Sequence, residues 1–244
     1  MTPDQFYTGI VVEAYAKLKS AHFDPTPYAD FVRTTGQPAL EIGCGDGEPL
    51  LSLLAQGLDV SGVDSSADML DRCRANAAAL GLDVTLHHQS MESLSLGRRY
   101  RSIYLAGPTF NLLPDDAAAL SALRAIRAHL TDDGAALIPL WIPTPSDDLG
   151  IPRETVADDG ARLRYTPLTE TYDESARTRI TTSRYERITP DTTESAAREW
   201  LLHWHTPAQF RTLCTTAGLS AHLTDDDGNP ATDDATDFTA VVRR

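Results

Sequence analysis

The feature that most constrains the fold of this chain is an alternation between Pro38 and Pro143. Short apolar runs at 39–43, 58–64, 83–89, 102–107 and 135–141 alternate with helix-patterned stretches. The helices are punctuated: Pro49 near a first turn with Gly57 as a stop, Ser65 or Ser66 as a cap with Gly81 as a stop. Asp115 or Asp116 caps a third, which places Leu120, Leu123, Ile126 and Leu130 on one face. Strand–helix–strand units at this spacing predict parallel strands joined by right-handed crossovers, hence an open, doubly wound sheet with helices on both faces.

The flanks read differently. After Trp141, Pro143, Pro145, Gly150 and Pro152 make a turn-rich linker, and period-two stretches at 162–172, 177–189 and 197–205 follow. They predict a small antiparallel β insertion after the fifth strand. A helix opened by Thr206–Pro207, with Phe210, Leu213 and Cys214 inward and Gly218 as its stop, leads to closing strands at 219–224 and 237–244, so that the main sheet has seven strands. Ahead of the sheet, Tyr7, Ile10, Val11, Ala14, Tyr15 and Leu18 form one helical stripe; Tyr28, Phe31 and Val32 form a second before Gly36. The expected organisation is an N-terminal helical cover over 1–36, an α/β domain over 37–145 and 206–244, and a substrate-side insertion over 146–205.

At 244 residues the chain can bury a core without staples. Its formal charge, 21 − 35 = −14, disfavours nucleic acid and membrane surfaces, and the densest basic run is only Arg98, Arg99 and Arg101. Three widely spaced cysteines (44, 73, 214) give neither a disulfide framework nor a metal set. There is no apolar run of 18 residues, and the first twenty lack a basic segment followed by an apolar one. The expectation is a cytoplasmic protein, monomer or homodimer, without a metal.

The chemistry concentrates in "ALEIGCGDG" (39–47), where glycines at 43, 45 and 47 follow a strand and precede a helix. Glycine there permits close approach of a ligand to the backbone. A dinucleotide fingerprint needs a third glycine at 48, but that residue is Glu48, and a carboxylate is unfavourable beside a pyrophosphate. Asp64 ends the next strand and can accept both hydroxyls of a ribose. A glycine turn plus this acid specifies a nucleoside without a pyrophosphate, as in S-adenosylmethionine.

On these residues the chain resembles the class I S-adenosylmethionine-dependent methyltransferases, with their Rossmann-like sheet, in a small-molecule, natural-product type of subgroup. "LEIGCGDG" matches the first motif, with Glu41 at its acidic position, and "VSGVDSSADML" (60–70) the second, with Asp64 on the ribose and Ser65 and Met69 beside the cofactor. "HHQSMESL" (87–94) resembles the segment that lines the adenine. Ser90 stands where the family usually has Asp, which leaves that contact to Ser90, to backbone or to Gln89, with Met91 stacking beside the ring. "YRSIYLAGPTFNLL" (100–113) resembles the fourth motif, although Arg101 replaces a common Asp and no His follows Asn111; Ala106 belongs to this cofactor edge. The resemblance implies methyl transfer to oxygen or nitrogen of a small molecule, S-adenosylhomocysteine as product, backbone contact from Gly43, Cys44 and Gly45, and Tyr15 near the methionine tail. The alternative is a non-catalytic binder of the same cofactor. On the acceptor side the expected residues are Tyr7, Phe110 and Asn111, the last equally readable as a turn residue. His203 and His205 are candidate proton acceptors.

Overall fold

The computed structural model describes residues 3–18 and 24–244. Three helices come first, α1 (Pro3–Phe6), α2 (Ile10–Leu18) and α3 (Thr26–Thr35). The alternating segment then runs β1 (Ala39–Ile42), α4 (Leu50–Ala55), β2 (Val60–Asp64), α5 (Ala67–Ala79), β3 (Thr85–His88), β4 (Tyr100–Tyr104), α6 (Asp116–His129) and β5 (Leu130–Trp141). Four strands follow, β6 (Arg153–Val156), β7 (Arg162–Asp173), β8 (Thr178–Ile188) and β9 (Thr193–His203), before α7 (Pro207–Thr216), β10 (Ser220–Thr224) and β11 (Asp237–Arg243).

The main sheet has the order β3-β2-β1-β4-β5-β11-β10, parallel except for β11, which pairs antiparallel with both β5 and β10. The interior strand β1 is buried at every residue, as a parallel strand covered on both faces must be. One face packs Leu123 and Ile126 of α6 and Phe210 of α7 against Ile138 and Val242; the other packs Val32, Leu50, Leu53 and Leu70 against Val60 and Tyr104. The caps are those read from the sequence. Ser66 Oγ accepts from Met69 N, an Asp115 carboxylate oxygen accepts from Ala118 N, and Thr206 with Gln209 forms a reciprocal capping box.

The second sheet, β6-β7-β8-β9, is wholly antiparallel and follows the fifth strand. Phe6 and α2 pack on it through Ile10, Val11 and Ala14, against Tyr165, Tyr185 and Trp200. The N-terminal helices therefore divide: α1 and α2 dock on the insertion, α3 on the main sheet.

Three sequence readings need correction. β5 starts at Leu130, not 135. The polar "TDDG" (131–134) reads as a turn but continues the strand through an irregularity opposite Tyr100–Ser102, where a Cβ on Gly134 would lie 2.9 Å from Arg101 O. β6 carries no apolar alternation because it is a short, exposed edge strand. β9 begins at Thr193, its first residues too polar and exposed to be told from a turn. Among the described residues no helix is long and apolar enough to cross a membrane.

Candidate active site

The carboxyl ends of β1 and β2, with the turn after β4, border a cavity of about 280 Å3, near the lower end of small-ligand sites. Its floor starts with the glycine turn. Gly43 and Gly45 have φ of +75° and +52°, and the N–H groups of Gly43 and Cys44 both donate to Val63 O, which straps the turn to β2. A Cβ on Gly43 would stand 2.4 Å from Thr109 Cγ2, whereas one on Gly45 would meet nothing within 4 Å. Both glycines line the cavity.

Asp64 stands at its edge. Oδ2 accepts from Gly45 N and Oδ1 from Ser66 N, each at 2.8 Å. Burial pushes its carboxyl pKa up, and the backbone N–H groups of Ser66, Gly45 and Ser65 offset only part of that. Ser65, Met69, Gln89, Ser90 and Met91 continue the wall. The Gln89 side chain is spent on its own loop, accepting from Ser95 N (2.7 Å) and donating to Ser95 O (3.1 Å).

Three floor residues lie beneath the cavity and not on it. Glu41 is fully buried; Oε2 accepts from Tyr104 OH at 2.8 Å, Oε1 has no partner among the described residues, and burial holds its pKa well above the usual carboxylate range. The Cys44 thiol turns inward, toward Gly62 and the thiol of Cys73. Ala106 is buried and accepts from Thr109 Oγ1 through its carbonyl.

The roof comes from far away in sequence. Tyr7 and Tyr15 meet edge to face at 5.4 Å and both line the cavity. The Tyr7 carbonyl accepts from Ser66 Oγ at 2.6 Å, and Gly9 N donates to Asp68 Oδ2 at 2.8 Å, which ties this segment to the start of α5. Burial, then Tyr15, Tyr185 and Asp64, hold the Tyr7 hydroxyl well above its ordinary value, so it stays protonated. Leu201 of β9 completes the roof.

The expectations for Phe110, Asn111 and the two histidines are corrected by the structure. Residues 109–112 form a 3-10 turn, in which i and i+3 share a face. Thr109 and Leu112 therefore line the cavity, while Phe110 turns into the core against Phe210. Asn111 ties strand ends together, donating to Trp141 O (2.8 Å) and His203 O (3.2 Å) and accepting from Trp141 N. His203 and His205 are 3% and 1% exposed, and neither lines the cavity. They meet Asp116 and Arg177 behind the wall. Burial, then His203 and Arg177, takes the His205 pKa down to about 3; burial and Arg177 also lower that of His203.

Sequence reasoning did not single out Ile42, Val63, Glu92, Leu112, Leu113, Pro114 or Leu201 as wall residues. Ile42, Val63, Glu92, Leu112 and Leu113 lie inside the quoted motifs and Pro114 directly follows one, whereas only tertiary packing brings Leu201 there.

Comparison with known proteins bears on this geometry. A family profile described as a methyltransferase domain matches residues 39–134. A dTDP-3-amino-3,6-dideoxy-alpha-D-glucopyranose N,N-dimethyltransferase from Streptomyces fradiae is 32% identical over 150 residues, 58% of this chain and 57% of that protein. The chain thus spans little more than half the length of that relative. A cypemycin N-terminal methyltransferase from a Streptomyces species is 24% identical over the full length of both chains. An amino pentose methyltransferase from Micromonospora echinaspora, solved with S-adenosylmethionine bound, superposes with a TM-score of 0.70 at 19% identity, covering 98% of each chain.

Proposed function

We propose that the chain is a class I S-adenosylmethionine-dependent methyltransferase, an enzyme that transfers the methyl group of S-adenosylmethionine to a nitrogen or oxygen of a small molecule; the matched methyltransferase domain and the methyltransferase relatives support this reading. The observation that carries this is Asp64, held by the N–H groups of Gly45 and Ser66 at the edge of a cavity whose floor is the glycine turn. A carboxylate so placed takes both hydroxyls of a ribose. Met69, Gln89, Ser90 and Met91 then face the adenine. Gly43, Gly45 and Tyr15 face the methionine tail, with Glu41 supporting the turn from below. The fit is direct: the space a Cβ on Gly45 would enter is open, and Asp64 retains acceptor capacity toward the cavity.

When bound, S-adenosylmethionine supplies a methyl group activated by a positively charged sulfur. The chain's own residues bind, orient and exclude water. Tyr7, Thr109, Leu112–Pro114 and Leu201 bound the acceptor side. Among the described residues no imidazole lines it, and the Tyr7 hydroxyl stays protonated, so the residues named here align the acceptor and do not deprotonate it. A neutral amine needs no base before it attacks. The N-methylating relatives support an amine acceptor, an amino sugar or a peptide amine. Three free, buried cysteines suit a reducing cytoplasm.

The test is calorimetry with S-adenosylhomocysteine, followed by a labelled-methyl assay over amino sugars and peptide amines. Binding is expected, and Asp64→Ala should weaken it by about 1–3 kcal/mol through lost charge-assisted hydrogen bonds. Unchanged binding in that folded variant removes Asp64 from the site.

A further inference from the structure

Behind the cavity wall, side chains from three separate parts of the fold converge. Asp116 opens α6, His203 ends β9 and His205 lies in the loop before α7. One ligating atom from each lies within 4.8 Å of the others. Asp116 Oδ1 is 3.6 Å from His203 Nε2 and 3.4 Å from His205 Nδ1. Around a tetrahedral ion with bonds near 2.1 Å, neighbouring ligand atoms stand about 3.4 Å apart, so the two distances to Asp116 need little adjustment. An N–H of Arg177 donates to His205 Nδ1 at 3.0 Å, so that nitrogen carries a lone pair and not a proton. The imidazoles are buried, but the Asp116 side chain is 53% exposed, which leaves a path from solvent.

We propose that Asp116, His203 and His205 form a binding site for a divalent transition-metal ion that takes nitrogen and oxygen ligands, with zinc as the type. Two imidazoles and one carboxylate are a known donor set for such ions, and they leave a fourth position for water. The competitor is internal. The Arg177 guanidinium holds Asp116 Oδ2 at 2.5 Å and already supplies the positive charge that an ion would bring. Binding exchanges one cation for the other, and the Arg177 side chain swings outward. The site lies off the methyl-transfer path. Asp116 follows two residues after Pro114 of the cavity wall, and His203 O accepts from Asn111 in the turn that carries that wall. A bound ion therefore stiffens the acceptor wall and takes no part in the transfer.

The test uses the untagged full chain, stripped with a chelator and titrated with cobalt(II), whose visible absorption reports coordination. The expected result is one saturable equivalent with the absorption of low-coordinate cobalt, displaced by zinc. His203→Ala and Asp116→Ala should each weaken it about tenfold or more. Circular dichroism and retained S-adenosylhomocysteine binding certify that those variants fold. Arg177→Gln removes the resident cation without removing a ligand and should tighten binding. No saturable equivalent, equal affinity in the folded ligand variants, or an Arg177→Gln protein that binds no more tightly would each overturn the site.

Discussion

The floor and the roof of the cavity are built by different means. The floor is local: Gly43, Gly45, Asp64, Ser65 and Met69 fall within 27 consecutive residues, fixed by backbone N–H groups and one helix cap. The roof is assembled at long range, from Tyr7 and Tyr15 near one end of the chain and Leu201 near the other. A floor made of backbone leaves little choice of residue, whereas a roof made of packed side chains leaves much. In the proposed reading the floor fixes the donor and the roof selects the acceptor.

The largest expected effect breaks the floor at its tightest point. Gly43→Ala places a Cβ 2.4 Å from Thr109 Cγ2 on a backbone at φ +75°. It should cost on the order of 2–4 kcal/mol in stability and abolish S-adenosylhomocysteine binding. Adding Thr109→Ser removes the clashing methyl and should restore the clash component only, so denaturant midpoints of the single and double variants separate contact from backbone strain. Equal midpoints for the two would show that Thr109 does not confine the turn.

A smaller effect concerns the acid beneath the floor. Burial raises the Glu41 pKa well above the ordinary 4.5. Above that pH the unfolded chain releases this proton while the folded chain keeps it, so folding stability falls as pH rises until the folded carboxyl itself ionises. The slope is up to about 1.4 kcal/mol per pH unit. Glu41→Gln removes the titration. The stability difference between variant and parent should therefore shift in favour of the variant from pH 5 to pH 8 in urea melts; parallel curves would place Glu41 in the ordinary range.

The smallest effect sharpens the division of labour. Leu201 is the only one of the described cavity residues that comes from the insertion. Leu201→Ala should raise KM for the acceptor about threefold to tenfold, on the order of 1 kcal/mol of lost apolar contact, while S-adenosylhomocysteine affinity stays unchanged. A shift in both would mean that roof and floor are one binding unit.

The sequence by itself determined the seven-stranded α/β sheet, the antiparallel insertion after β5, the helix caps and the placement of the glycine turn beside Asp64. Each is carried by residues close in the chain: a periodicity, a cap or a turn glycine whose effect is local. Only the tertiary structure decided which of the remaining candidates face the cavity. His203 and His205 read as candidate proton acceptors, yet β9 ends at His203 and both imidazoles sink beside Asp116, off the cavity. Phe110 and Asn111 read as a ligand-facing turn, yet the 3-10 geometry offers the cavity Thr109 and Leu112 and hands Phe110 to the core. With three residues per turn, successive side chains point about 120° apart, so one step along the turn moves a side chain from cavity to core. Sequence spacing cannot fix that direction, because it depends on which distant surface the turn must pack against.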